Sequence, residues 1–150
     1  MAGISDQTHV ILAEDDDDDF LIFSLALEGL PLPLTVLLTR AEDGERLMKL
    51  LEEKIPDILF LDIYMPCKDG HQCIKEIRAN SKYDALPIIV YSSLKDLRTI
   101  EMCYRQGSNL YTIKPTSLTE LQTAIQRILT IDWKKSLYFP SRSEFVLNPQ

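Results

Sequence analysis

A chain of 150 residues, 45% apolar and 26% charged, is long enough for one ordinary domain with a proper core. Sixteen basic against 23 acidic side chains give a net charge of −7, which argues against a general grip on nucleic acid because phosphate contacts need a basic face. Three cysteines, Cys67, Cys73 and Cys103, with no CxxC pair, do not make a disulfide framework and read as reduced thiols. A zinc site is a weak rival: His71 lies between Cys67 and Cys73, but a fourth ligand with recognisable spacing is missing. No basic stretch followed by a long apolar run opens the chain, and no segment approaches a membrane span. The cytoplasm is the expected location, and no contact with a membrane is expected.

In chain order, HVILA is a short branched apolar run, as a strand covered on both faces should be. It runs into Glu14 and five aspartates, Asp15 to Asp19. FLIFSLALEGL then carries Phe20, Phe23, Leu27 and Leu30 near helical spacing, and Asp17, Asp18 and Asp19 suit the positive end of that helix. LTVLLT, from Leu34 to Thr39, reads as the second strand. Leu47, Leu50 and Leu51 mark the second helix. DILFLD is the third strand, and the loop IYMPCKDG leads to a helix with Cys73, Ile74 and Ile77 inward. IIVYSS is the fourth strand, and LKDLRTIEMCYRQG is a helix stopped by Gly107. NLYTIKP is the fifth strand, followed by a helix with Leu118, Leu121, Ile125, Ile128 and Leu129 facing inward.

Strand and helix alternate five times, so the expected fold is α/β: a parallel sheet with helices on both faces. Residues 1–9 form an N-terminal extension, 10–131 the domain, and 132–150 a tail outside the pattern. The tail holds Trp133, Leu137, Tyr138, Phe139, Phe145 and Leu147, too many large apolar groups for a free disordered segment. Two readings stand for it: packing back on its own domain, or joining a homodimer interface.

Ligands of open parallel sheets sit beyond the carboxyl ends of the strands. Glu14 and Asp15, Asp62, Ser92 and Lys114 each follow such an end. The acids form an oxygen-rich cup suited to a hard divalent cation such as Mg2+. An aspartate can act as a nucleophile toward phosphorus when a cation neutralises the phosphoryl oxygens. Asp62 ends the middle strand of the set and is the best nucleophile. Lys114 and Ser92 are placed to contact the phosphoryl oxygens.

ILAEDD, PDILFLDIYMPCKDG, PIIVYSS and GSNLYTIKP, in this order, closely resemble the receiver domain of bacterial two-component response regulators from about Val10 to Ile131. The resemblance implies a flavodoxin-like five-stranded parallel sheet in the order 2-1-3-4-5. It implies that Asp62 takes a phosphoryl group from a histidine of a sensor kinase or phosphotransfer protein. Glu14, Asp15, Asp62 and the backbone carbonyl of Tyr64 would bind magnesium. Ser92 and Tyr111 would be the switch pair, with Tyr111 moving inward as Ser92 is drawn to the phosphoryl group. The Lys114–Pro115 bond is expected to be cis.

The same resemblance implies a phosphoacceptor rather than a separate enzyme, signalling to a downstream protein partner. The PCKDG loop and long final segment look like single-domain regulators associated with phytochrome-type kinases. With 19 residues after Ile131, no output domain fits there, so a stand-alone regulator is expected. The alternative is a receiver-like binding module that works without phosphorylation. An aspartate-nucleophile phosphatase would want DxD where DIY stands, and no GxxxxGK[ST] loop supports a nucleotide switch. Six acids after the first strand would repel the phosphate of a flavin.

Overall fold

The computed structural model describes residues 7–31, 35–133 and 139–147. Its elements run β1 (Thr8–Ala13), α1 (Asp17–Glu28), β2 (Val36–Ala41), α2 (Gly44–Glu53), β3 (Ile58–Leu61), α3 (Gly70–Arg78), β4 (Ile88–Ser92), α4 (Leu97–Gln106), β5 (Leu110–Ile113), α5 (Leu118–Leu129) and β6 (Val146–Leu147), with short 3-10 turns at Ser81–Tyr83 and Arg142–Glu144. The strands make one sheet in the order β2-β1-β3-β4-β5-β6. Every neighbouring pair is parallel.

Local chemistry sets the helix starts. Asp16, Asp43, Asp69, Asp96 and Ser117 each accept a hydrogen bond from a backbone N–H three residues on, satisfying one free donor of the first turn. At α3 the cap is reciprocal, since Gln72 also reaches back to the Asp69 N–H at 2.9 Å. Helix α4 stops at Gly107, whose φ of 104° is a left-handed conformation that a side chain disfavours.

The sheet separates two apolar layers. Leu47, Leu51, Ile74, Ile77, Ile100 and Cys103 cover one face. Phe23, Ala26, Leu121, Ile125, Ile128 and Trp133 cover the other. Strands β3 and β4 are buried along their whole length, which is why their sequences do not alternate.

Several expectations need correction. The sheet has a sixth strand, β6, beside β5. Strand β2 lies later than LTVLLT, because it pairs with β1 from Thr8↔Val36 through Ala13↔Ala41; Leu34 lies outside the described residues. Helix α4 begins at Leu97, with Asp96 as its cap rather than inside it. Leu118, the first residue of α5, is exposed rather than facing inward. The Lys114–Pro115 bond is trans, as no cis peptide occurs among the described residues; trans is the intrinsically favoured isomer by roughly 0.5–1 kcal/mol. In the tail, Phe145 is fully buried and Trp133 nearly so, while Phe139 is half exposed. Leu137 and Tyr138 lie outside the described residues.

Candidate functional site

The strand register brings the predicted polar residues to one edge. Ala13 is level with Leu61, and Ser92 with Ile113. The next residues are tied across the strands: Glu14 N–H donates to the Ala41 carbonyl at 2.9 Å, Asp62 N–H to Ala13 at 3.0 Å, and Lys114 N–H to Ser92 at 2.8 Å. Backbone pairing therefore fixes where each side chain leaves the sheet.

Glu14 is fully buried and Asp62 is 7% exposed, whereas Asp15 faces solvent. Oxygens of Glu14, Asp15 and Asp62 all lie within 4.8 Å of one another. The Lys114 ammonium enters the same cup, 2.8 Å from Glu14 Oε1, 2.7 Å from Asp19 Oδ2 and 3.4 Å from Asp62 Oδ2. It also sits 5.3 Å from the centre of the Tyr91 ring. Asp62 Oδ1 accepts the Ile63 N–H at 2.8 Å, which orients the carboxylate and leaves Oδ2 toward Lys114.

The rest of the aspartate run has other work. Asp16 caps α1, and Asp17 pairs with Arg40 at 2.8 Å. Asp19 turns back to Lys114, a contact 95 positions apart in sequence that no spacing rule reveals.

The electrostatics follow from crowding acids in a poorly hydrated place. Burial pushes Glu14 up to about 7, against the pull of Lys114, and the charge of Asp62 adds to the rise. Burial also raises Asp62, while Lys114 opposes it. Burial works against the charge on Lys114 as well, but Asp19 and Glu14 hold its pKa above the ordinary lysine value. Glu14 Oε1 is buried without a well-aligned hydrogen bond, despite its closeness to Lys114. One ammonium does not satisfy this oxygen-only donor set, so the three clustered carboxylates fit a hard divalent cation.

Ser92 is buried, and its Oγ accepts the Leu94 N–H at 3.1 Å. Tyr111 is also buried, and its hydroxyl donates to the Leu94 carbonyl at 2.8 Å. Burial pushes the Tyr111 phenol up to about 12, and the neighbouring Ser92 hydroxyl opposes that rise. The Tyr64 side chain is 68% exposed.

Sequence reasoning missed Gly70. The loop after β3 turns back so that Gly70 N–H donates to Ile63 at 2.8 Å. A Cβ on Gly70 would lie 2.6 Å from the Asp62 carbonyl oxygen. The only sequence signal was a glycine just before a helix.

Residues 10–126 match the family described as the response regulator receiver domain. The probable C4-dicarboxylate response regulator DctR of Bacillus subtilis is 36% identical over 124 residues, which are 79% of this chain and 50% of that protein. The chain thus spans about half of that relative's length, and a quarter of the Escherichia coli transcriptional regulator NtrC, which is 30% identical over 125 residues. Among solved structures, the phosphorylated cyanobacterial phytochrome response regulator RcpA is 25% identical with a TM-score of 0.74, covering 90% of this chain and 99% of that one. The receiver domain of the sensor histidine kinase PA1611 from Pseudomonas aeruginosa, with magnesium coordinated in its active-site cleft, is 27% identical with a TM-score of 0.68, covering 81% and 96%. With its strand-end acids and a match over residues 10–126, the chain belongs to the receiver domain family of two-component response regulators.

Proposed function

We propose that Asp62 accepts a phosphoryl group from a phosphohistidine of a sensor kinase or histidine phosphotransfer protein. The observation that carries this reading is the meeting of Glu14, Asp15, Asp62 and Lys114 at one sheet edge. Asp62 Oδ2 attacks phosphorus, the P–N bond breaks, and its electron pair stays on the imidazole. The product is an acyl phosphate. Glu14, Asp15, Asp62 and the Tyr64 carbonyl are the residues proposed to hold Mg2+, which when bound neutralises phosphoryl oxygens. Lys114 gives those oxygens a second positive contact, and Ser92 donates its hydroxyl.

Ser92 and Tyr111 then pass the change to protein partners through the surface formed by α4, β5 and α5. Exposed Leu21, Ile22 and Leu25 on α1 add an apolar surface next to the acids, which supports docking of a protein donor. The likeness to RcpA over 90% of the chain supports a phytochrome-type kinase as that donor. Among the described residues no helix is long and apolar enough to cross a membrane, in keeping with a site of action in the cytoplasm.

Intact-mass measurement with Mg2+ and a small phosphoryl donor tests the assignment. The protein is expected to gain one base-labile phosphoryl group, and Asp62→Asn to gain none while keeping its fold. Full labelling of the variant overturns Asp62 as acceptor. A folded wild type that never labels favours the phosphorylation-independent binding module.

A further inference from the structure

The described end of the chain is fastened at three levels. Arg142 Nε donates to Glu101 Oε1 on α4 at 2.8 Å. The Phe145 ring packs edge-on to Tyr104 at 5.2 Å and tilted to Tyr111 at 6.2 Å between ring centres. The Phe145 carbonyl accepts the Tyr111 N–H at 3.0 Å, and Val146 and Leu147 continue beside Tyr111 and Thr112. Phe145 is fully buried, so the ring fills core space and is not a surface ornament.

A continuous path joins this plug to the acid cup. Phe145 holds the ring and backbone of Tyr111. The Tyr111 hydroxyl holds the Leu94 carbonyl, and the Leu94 N–H holds Ser92 Oγ. Leu94 is thus pinned at both ends, which fixes the loop after β4. Accepting from Leu94 leaves the Ser92 proton available for donation. If Phe145 withdraws, Tyr111 loses a ring contact and a backbone acceptor together, and the fixed loop loses its support.

We propose that the C-terminal segment, with Phe145 as plug and β6 on the edge of β5, is an intramolecular effector that holds Tyr111 inward and thereby raises the affinity of the Asp62 site for a phosphoryl group. This rests on the reading of Asp62 as phosphoacceptor. Such coupling is reciprocal: whatever the tail does for the phosphoryl group, the group does for the tail.

Beryllofluoride with Mg2+, an analogue of a bound phosphoryl group, is titrated into the full chain and into full-length Phe145→Ala, Phe145→Leu and Arg142→Gln. Phe145→Ala is expected to bind roughly fivefold weaker or worse, a usual size for coupling between sites. Phe145→Leu recovers most of the loss, and Arg142→Gln lies between. The second arm needs no variant: in the wild type, saturating beryllofluoride slows hydrogen exchange of residues 139–147 and of the Tyr111 amide. Unchanged exchange there, or equal or tighter binding by a folded Phe145→Ala, overturns the tail's role while leaving the acceptor site standing. A wild type that binds no beryllofluoride removes the acceptor reading, and this inference with it.

Discussion

Lys114 carries one positive charge among Glu14, Asp19 and Asp62, and Glu14 is the acid whose ionisation costs the fold most plainly. Its carboxyl is raised from an ordinary 4.5 to about 7 by burial. The folded chain therefore holds this proton more tightly than the unfolded chain. The stabilisation is full below the ordinary value and is lost as pH rises through the folded one. Gln keeps the shape and cannot ionise. Metal-free Glu14→Gln is expected to exceed the wild type in stability by ~1–3 kcal/mol at about pH 8, with the gap closing near pH 4–5. Urea unfolding across pH measures it, and an equal or less stable variant at the upper end contradicts the account. Added Mg2+ should narrow the gap by giving the ionised Glu14 a partner. At this scale the sequence was informative wherever a polar residue directly follows an apolar run, as at Glu14, Asp62, Ser92 and Lys114. It was silent on Asp19, whose role depends on a helical turn bringing it back over the sheet to Lys114.

Elements, rather than single residues, hold Asp62 in place. The loop between β3 and α3 folds back against the Asp62 backbone, and Gly70 makes the close approach. An added methyl there meets the Asp62 carbonyl oxygen at 2.6 Å and Ile63 Cα at 2.8 Å, atoms that cannot step aside without moving the acceptor. Gly70→Ala is expected to cost about 1–3 kcal/mol of stability. It should also slow labelling from a small phosphoryl donor, which thermal unfolding and time-resolved intact mass check together. Normal stability and labelling would falsify the close-packing argument. The five main strands were legible because each is a compact apolar run bounded by a charge, a proline or a glycine. Strand β6 was not, because a strand of 2 residues has no period to detect. The displacement of β2 has the same root: Leu37 is exposed and its neighbours half-buried, so the apolar run did not mark which residues pair.

Across the whole molecule, Arg78 ties together parts that the sheet alone does not connect. Its guanidinium donates to the carbonyls of Gly107, Tyr83 and Leu86 and to Asn109 Oδ1, at 2.8–2.9 Å. Asn109 Oδ1 also accepts the Ile88 N–H at 2.9 Å, so the end of α3, the turn before β4 and the entry to β5 share one knot. Lysine lacks the planar fork and leaves several carbonyls without a donor. Arg78→Lys is expected to lose ~2–4 kcal/mol in urea unfolding, yet to reach the same phosphoryl yield at saturation well below its melting temperature. A loss of yield without a loss of stability would contradict this division between scaffold and site. The sheet's two borders have a consequence of another kind. An outer strand with unpaired backbone groups invites a second chain to add to it. Among the described residues the border on the α4 side is β6, whose 2 residues offer a short template for such pairing. On the other side the border is β2, with 6 residues and Arg40 held by Asp17 and the Glu14 carbonyl. One rim is guarded against edge-to-edge aggregation by brevity and the other by charge, and the residue that guards the second is fastened to the acid run that builds the site.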